Sequence, residues 1–148
     1  MFQVFGKLEV LKADWKPYIE SVEQKLFGQG EAFYQEAFAR FEREVCKEER
    51  WEIYLEQLMV YFLFTYFCGA VYDEMAYEKA KFAVASTLLI QEMVFASFLS
   101  HGKFPQVEEV AEIAHRYAKE VEHSDTNLNG WKNFFRKKNR SICYRFWR

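Results

Sequence analysis

The sequence is poor in the residues that interrupt helices, and it shows no pattern typical of a sheet. Its 148 residues include only two prolines and six glycines, and these two residue types are the strongest breaks in a helical pattern. No stretch alternates apolar and polar residues between turn signals, as a half-buried strand does. We therefore expect an all-α fold built from long helices.

Cysteine is also scarce, which excludes two kinds of stabilised small domain. Cys46, Cys68 and Cys143 are odd in number and far apart, so they fit neither a disulfide framework nor a zinc-binding spacing. Reduced cysteines are typical of cytoplasmic proteins. Residues 1–10 lack the charged-then-apolar order of a signal peptide. Both observations predict a cytoplasmic location.

The common catalytic and cofactor-binding motifs are missing. The sequence has no recognisable nucleophile–base motif, no glycine-rich phosphate loop and no glycine-rich dinucleotide turn. The residues by themselves therefore identify no catalytic group, and we expect no cofactor and no metal in this chain.

Apolar and aromatic residues are abundant, at 51% and 20% of the chain. Residues 58–72 contain no charge and six aromatic side chains, and a helix that is apolar all round is stable only where neighbours cover it. A second apolar segment, residues 82–99, is interrupted by Gln91 and Glu92. We predict a single-domain bundle of five to six helices around these two helices, packed as a buried central antiparallel pair.

A membrane hairpin is the alternative for the same two segments. Fifteen helical residues span about 22 Å, which is less than the roughly 30 Å hydrocarbon core of a bilayer. Glu92, in the middle of the second segment, would add about 2.5–3.5 kcal/mol to the free energy of insertion. We therefore expect no membrane span.

Charge divides the chain into two regions. Residues 126–148 carry seven basic residues and no acidic one, so the net charge of −2 splits into +7 for this tail and −9 for residues 1–125. We predict a helical bundle domain over residues 1–125, with Ser124–Asp125 as a helix cap, and a basic aromatic tail without a helical stripe over residues 126–148. Basic aromatic segments can bind nucleic acid, but these charges follow no period, and we expect no nucleic-acid partner.

Two Glu-x-x-His motifs, Glu112/His115 and Glu120/His123, carry the sharpest chemical signal. Ferritin-like di-iron bundles place one such motif on each of two helices, whereas here both lie on one predicted helix. At 100° per residue, the apolar stripe of this helix lies opposite Glu112 and His123. We therefore predict a solvated polar face and no metal site.

Glu56, Gln57 and Glu92 are polar residues within the two apolar helices, and two interpretations stay open. In the first, Glu92 lies on the face of its helix that reaches solvent or meets Lys or Arg from a neighbour. In the second, the three residues meet in a polar pocket inside the bundle, where a carboxylate needs a partner. Thr65 and Cys68 are expected in the core.

Four segments of the chain follow an order that is found in a known family. They are K-A-D-W-K-P-Y-I-E (12–20), Y-L-E-Q-L-M-V-Y-F-L-F (54–64), K-F-A-V-A-S-T-L-L-I (81–90) and Y-A-K-E-V-E-H-S-D-T-N-L (117–128). Together they resemble the C-terminal half of the flagellin lysine-N-methylase family. The last segment is the most specific, because Glu-His-Ser-Asp followed by Asn-Leu is unusual at the end of a helix. The similarity covers about residues 8–128, and the basic tail looks unrelated to the family.

The resemblance implies a role in methylating flagellin lysines. A full-length member is expected to use S-adenosylmethionine and to carry a cysteine-bound metal cluster toward its N-terminus, and this chain has no such cysteine run. We interpret it as a truncated or divergent member that serves substrate docking or domain packing and is inactive in isolation. Its partner would be a cysteine-rich N-terminal half or flagellin.

The motif residues implied by the resemblance are Glu120, Glu122 and His123. Glu122 lies on the shoulder of the predicted helix, about 100° from Val121, and His123 points further out. We expect neither to be needed for packing. The alternative function, from another class, is a non-catalytic helical module for interaction or oligomerisation, which would allow a homo-oligomer.

Overall fold

The computed structural model describes residues 9–137, which fold as a helical bundle. Among these residues there is no strand, and six helices are longer than one turn. The predicted all-α bundle of five to six helices is therefore confirmed. The helices are α1 (Trp15–Phe27), α2 (Glu31–Phe41), α3 (Glu49–Tyr66), the single turn α4 (Ala70–Asp73), α5 (Ala76–His101), α6 (Val107–Val121) and α7 (Asp125–Lys137).

Helix α5 is the helix against which the others pack. It contacts α1, α2, α3, α6 and α7, and half of its 26 residues are buried. It is also long and apolar enough, by length and composition, to cross a membrane. However, 67% of its apolar window is buried inside the protein, as in the core helix of a soluble bundle.

Helices α3 and α5 run antiparallel, as predicted. The rings of Phe62 and Tyr66 pack against Phe82, with centroid distances of 6.0 and 4.9 Å. Closer to the start of α3, the sulfur of Met59 lies 3.9 Å from the Thr87 hydroxyl. Residues earlier in α3 therefore lie beside residues later in α5, as in an antiparallel pair.

The prediction that residues 58–72 are covered on every side is wrong. Phe64 is 74% exposed and Tyr72 is 91% exposed, and Thr65 and Cys68, expected in the core, are exposed as well. Helix α5 covers one side of α3 and no described helix covers the other. Phe62, at 1% exposure, lies on the covered side.

The breaks between helices follow local chemistry. The chain breaks before α3, since Glu48 is extended (φ −81°, ψ 127°) and α3 begins at Glu49. Helix α5 ends at Gly102, whose φ of 62° is a left-handed conformation that suits glycine. The predicted cap at Ser124 is confirmed, because its Oγ accepts the N–H of Asn127 at 3.1 Å.

A helix was not predicted after Ser124, and here the sequence analysis was wrong. Helix α7 packs on α5, and Trp131 is fully buried with its ring 6.2 Å from that of Phe82. Leu128 and Trp131 are the members of its apolar stripe that the structure describes. The rest of the predicted tail, residues 138–148, lies outside the described residues.

Candidate functional site

The corner between α6 and α7 holds the segment that precedes α1. Asn127 donates from Nδ2 to the carbonyl of Glu9 at 2.9 Å, and its Oδ1 accepts the N–H of Glu9 at 2.7 Å. One amide side chain thus pairs with both backbone groups of Glu9, as a neighbouring strand would. Nδ2 also donates to the carbonyl of Glu120 at 2.7 Å, and Asn127 is 1% exposed.

Glu120 and Ser124 complete what we call the α6–α7 corner, defined by Glu120, Ser124 and Asn127. Glu120 Oε2 accepts the N–H of Leu11 at 2.9 Å, and Ser124 Oγ donates to the Glu9 carboxylate at 3.2 Å. Since Ser124 also caps α7, the start of this helix and the position of residues 9–11 depend on the same side chains.

Glu120 is buried and does not share the solvated face that was predicted for Glu112 and His123. Glu120 is 1% exposed, because residues 9–11 cover this side of α6. The chain that covers it is more than a hundred residues away in sequence, since Leu11 and Glu120 are separated by 109 positions. Helical periodicity within α6 contains no information about this partner.

Glu122 joins α6 to α3, so the expectation that it plays no part in packing is wrong. Its Oε2 accepts the hydroxyls of Tyr61 at 2.9 Å and Tyr66 at 2.5 Å. Burial, followed by this carboxylate, raises the pKa of Tyr66, which keeps its hydroxyl a donor. His123 is exposed, as expected.

We expect Glu122→Ala to lower the free energy of unfolding by about 1–2 kcal/mol, because two hydrogen bonds to a half-buried carboxylate are lost. Glu122→Gln keeps an acceptor oxygen and should lose less. His123→Ala removes an exposed side chain and should stay within about 0.5 kcal/mol of the original. Chemical denaturation of the three variants measures their free energies of unfolding and so ranks them. Equal losses of stability in Glu122→Ala and His123→Ala would contradict the prediction.

Glu92 lies on α5 and meets neither Glu56 nor Gln57 in a buried pocket, because these two residues are exposed on α3. Nor does it pair with any Lys or Arg side chain that the structure describes. Instead, Glu92 Oε1 accepts the hydroxyl of Tyr34 from α2 at 2.9 Å, and Oε2 has no partner among the described residues. Burial raises the pKa of Glu92 to about 7, and the Tyr34 hydrogen bond opposes this only in part.

This raised pKa predicts that stability falls as pH rises from about 4.5 to about 7. Over this range the unfolded carboxyl has released its proton while the folded one retains it, so unfolding releases a proton and is favoured at higher pH. Glu92→Gln removes the ionisation and should be more stable than the original chain at pH 8, by about 2–3 kcal/mol. Denaturation curves across this range test the prediction. Glu56→Gln, an exposed change of the same kind, should leave the profile unaltered.

A cleft of about 320 Å³ between α1, α5 and α6 contains a serine, a histidine and a glutamate. Ser97 Oγ donates to the Glu109 carboxylate, and His101 Nδ1 lies 3.3 Å from Ser97 Oγ and 3.5 Å from Glu109 Oε1. In a catalytic triad the serine and the acid face different ring nitrogens. Here both face Nδ1, so the arrangement cannot relay a proton from the serine.

The Glu-x-x-His motifs do not bring ligands together. Glu120 is buried against residues 9–11, while His123 is exposed, so the two side chains lie in different environments. Among the side chains that the structure describes, no group of three or more His, Cys, Asp or Glu is arranged to hold a metal ion.

Comparison with known families gives one match. The model of the FliB lysine N-methylase C-terminal domain matches residues 1–144. Neither a curated protein nor a solved structure matches the chain. The match runs beyond Leu128 through most of the basic tail, so the expectation that the tail is unrelated to the family is wrong. It also includes the whole α6–α7 corner.

Proposed function

Because the chain belongs to the family of FliB lysine N-methylase C-terminal domains, we propose that it is the helical packing domain of such a methylase. In this role it holds the preceding part of the enzyme in position for methyl transfer to flagellin lysines. The methyl donor, S-adenosylmethionine, and a cysteine-bound metal cluster would belong to that other part. The role of this chain is to anchor that other part of the enzyme on the helical bundle.

The observation that supports this role is the α6–α7 corner. The polar groups of Asn127 and Ser124 are used on Glu9, and Glu120 binds the backbone of Leu11. Glu120, Ser124 and Asn127 belong to the segment that resembles the methylase family most specifically, residues 117–128. Its polar side chains therefore fix an incoming chain at a defined place on the bundle, which is what a packing domain requires.

We expect the purified chain to show no methyl transfer to flagellin lysines. In lysine methylation the substrate amine is itself the nucleophile, so what the enzyme has to supply is a site for the methyl donor. Under this proposal that site belongs to the other part of the enzyme. Transfer of a radioactive methyl group from S-adenosylmethionine measures this directly. Labelled flagellin in the presence of the chain alone would contradict the proposal.

The sharper experiment compares two asparagines of α7 in a full-length methylase that contains this domain. Asn127→Ala removes both bonds to the Glu9 backbone, whereas Asn129→Ala removes an exposed side chain of the same chemistry from the same helix. We expect flagellin methylation to fall at least about tenfold for Asn127→Ala, because misplacement of a reacting group is costly. Asn129→Ala should retain full activity.

Loss of the fold has to be separated from loss of anchoring. Both variants are therefore assayed at a temperature where circular dichroism shows them folded, and trypsin cleavage at Lys12 reports release of the segment. Faster cleavage with lower activity supports the proposal. Full activity with faster cleavage would show that the anchor has no role in the reaction.

We also propose a cytoplasmic location. Cys46 and Cys68 are unpaired, as expected in a reducing compartment. Fractionation of cells that produce the tagged protein tests this assignment. The second candidate function, a helical oligomerisation module, is favoured by one observation, the exposed apolar side of α3.

A further inference from the structure

Helix α3 and the 3-10 turn that follows it (Phe67–Gly69) carry an apolar seam, interrupted by Gln57, on the side that faces away from α5. The positions are spaced by four, three, four and three residues, which is the spacing of a coiled-coil seam. We call this the outer seam, and its residues are all exposed: Ile53 (45%), Gln57, Val60 (38%), Phe64 (74%) and Phe67 (42%).

The outer seam lies opposite Phe62, whose ring packs on Phe82 of α5. Four of its five side chains are apolar and exposed to solvent. A row of exposed apolar side chains of this kind marks an interaction site.

We propose that the outer seam binds the outer seam of a second copy of this chain, with the two α3 helices antiparallel. A seam of this spacing is complementary to another helix of the same spacing. The outer seam is formed by exposed apolar side chains that the structure describes, and a second copy brings the matching surface. This inference does not depend on the methylase proposal.

Side-chain size supports self-association about a two-fold axis. An axis that crosses the seam between Val60 and Phe64 sets Val60 of each copy against Phe64 of the other, so that a small residue meets a large one. The same axis sets Gln57 against Phe67. Each contact then occurs twice, as a two-fold interface requires.

Charge determines the antiparallel direction. Glu49, Glu52 and Glu56 are exposed along the first half of α3, while residues 57–72 contain no charge. A parallel pair would place the three carboxylates of one copy beside those of the other. The antiparallel pair places them beside the uncharged half, which avoids this repulsion.

The available area fits a dimer of moderate affinity. The side chains of the outer seam expose roughly 600 Å² of accessible surface in each copy. A dimer that covers this surface on both copies would bury about 1,200 Å² in total, which is the lower limit for stable interfaces. We therefore expect a dissociation constant in the micromolar range.

Sedimentation velocity over a range of about 5 to 500 μM tests the proposal, because a micromolar dimer dissociates within it. The chain should sediment as a concentration-dependent dimer, and Phe64→Glu should weaken the dimer at least about tenfold. Val107→Glu, a change of the same kind at a residue that is 50% exposed on α6, should leave it intact. Circular dichroism confirms that both variants fold.

Two results would overturn the proposal. One is a monomer at every concentration, which would mean that a different molecule, such as the preceding part of a methylase, covers the seam. The other is a dimer that responds equally to the two substitutions, because its interface would then lie elsewhere.

The direction of the pair has its own test, in a chain whose Cys46, Cys68 and Cys143 are replaced by serine. Copies with Val60→Cys and copies with Phe64→Cys are oxidised by glutathione disulfide, separately and as a mixture. The antiparallel pair predicts that the mixture cross-links more than either variant alone. Equal or better linking of each variant with itself would overturn the antiparallel arrangement.

Discussion

Replacing Phe62 by alanine is expected to lower the free energy of unfolding by about 3–5 kcal/mol. Replacing Phe64, two positions further along the same helix, is expected to change it by less than about 0.5 kcal/mol. The two substitutions remove the same atoms from the same element of structure. They differ in which side of α3 the ring occupies.

The difference follows from burial. Phe62 is 1% exposed and packs edge-on against Phe82 and Tyr117, at centroid distances of 6.0 and 6.1 Å. Removal of its ring leaves a cavity among side chains from α5 and α6 that cannot all collapse. Phe64 is 74% exposed, so alanine there creates no cavity and reduces the apolar surface in contact with water.

Urea denaturation of the dilute chain gives both values under conditions where self-association is negligible. At high concentration Phe64→Ala should become destabilising if the outer seam is covered in a dimer, because stability is then linked to association. Losses of similar size at the two positions in dilute solution would mean that α3 is covered on both sides, and the outer seam would not exist.

The sequence predicted the features that depend on neighbouring residues. Long helices and the cap at Ser124 are both set by side chains within a few positions of the feature itself. Helix type and helix ends could therefore be assigned without knowledge of the fold.

The burial of residues 58–72 could not be assigned in this way. An apolar helix has to be covered, but its composition does not state which molecule covers it. The prediction assigned the cover to other helices of the same chain, whereas α5 covers one side and leaves Phe64 in solvent. The error came from assuming that all apolar surface is buried within the monomer.

Glu120 makes a contact that no local pattern could predict. The backbone of Leu11, 109 positions away, lies against its carboxylate. Contacts between residues so distant in sequence arise only once the fold has formed. Gly130 and the asparagines beside it similarly obscured α7, because these residues are weak helix formers and tertiary packing of Trp131 supplies the stability.

Trp131→Ala is the second substitution with a large expected effect, and it tests whether the start of the predicted tail belongs to the core. The indole is fully buried and contacts Phe82, which also meets Phe62 and Tyr66. We expect a loss of about 3–5 kcal/mol.

Asn133→Ala provides the matched control on α7, because this side chain is exposed and should contribute less than about 0.5 kcal/mol. Thermal and urea unfolding should each show one transition for Trp131→Ala, shifted as a whole, since α7 and α5 share one core. A stability equal to that of Asn133→Ala would mean that α7 is detached from the bundle in solution. The α6–α7 corner would then lack Asn127, and residues 9–11 could not be anchored there. The burial of Trp131 and the anchoring of residues 9–11 therefore both depend on the packing of α7 against the bundle.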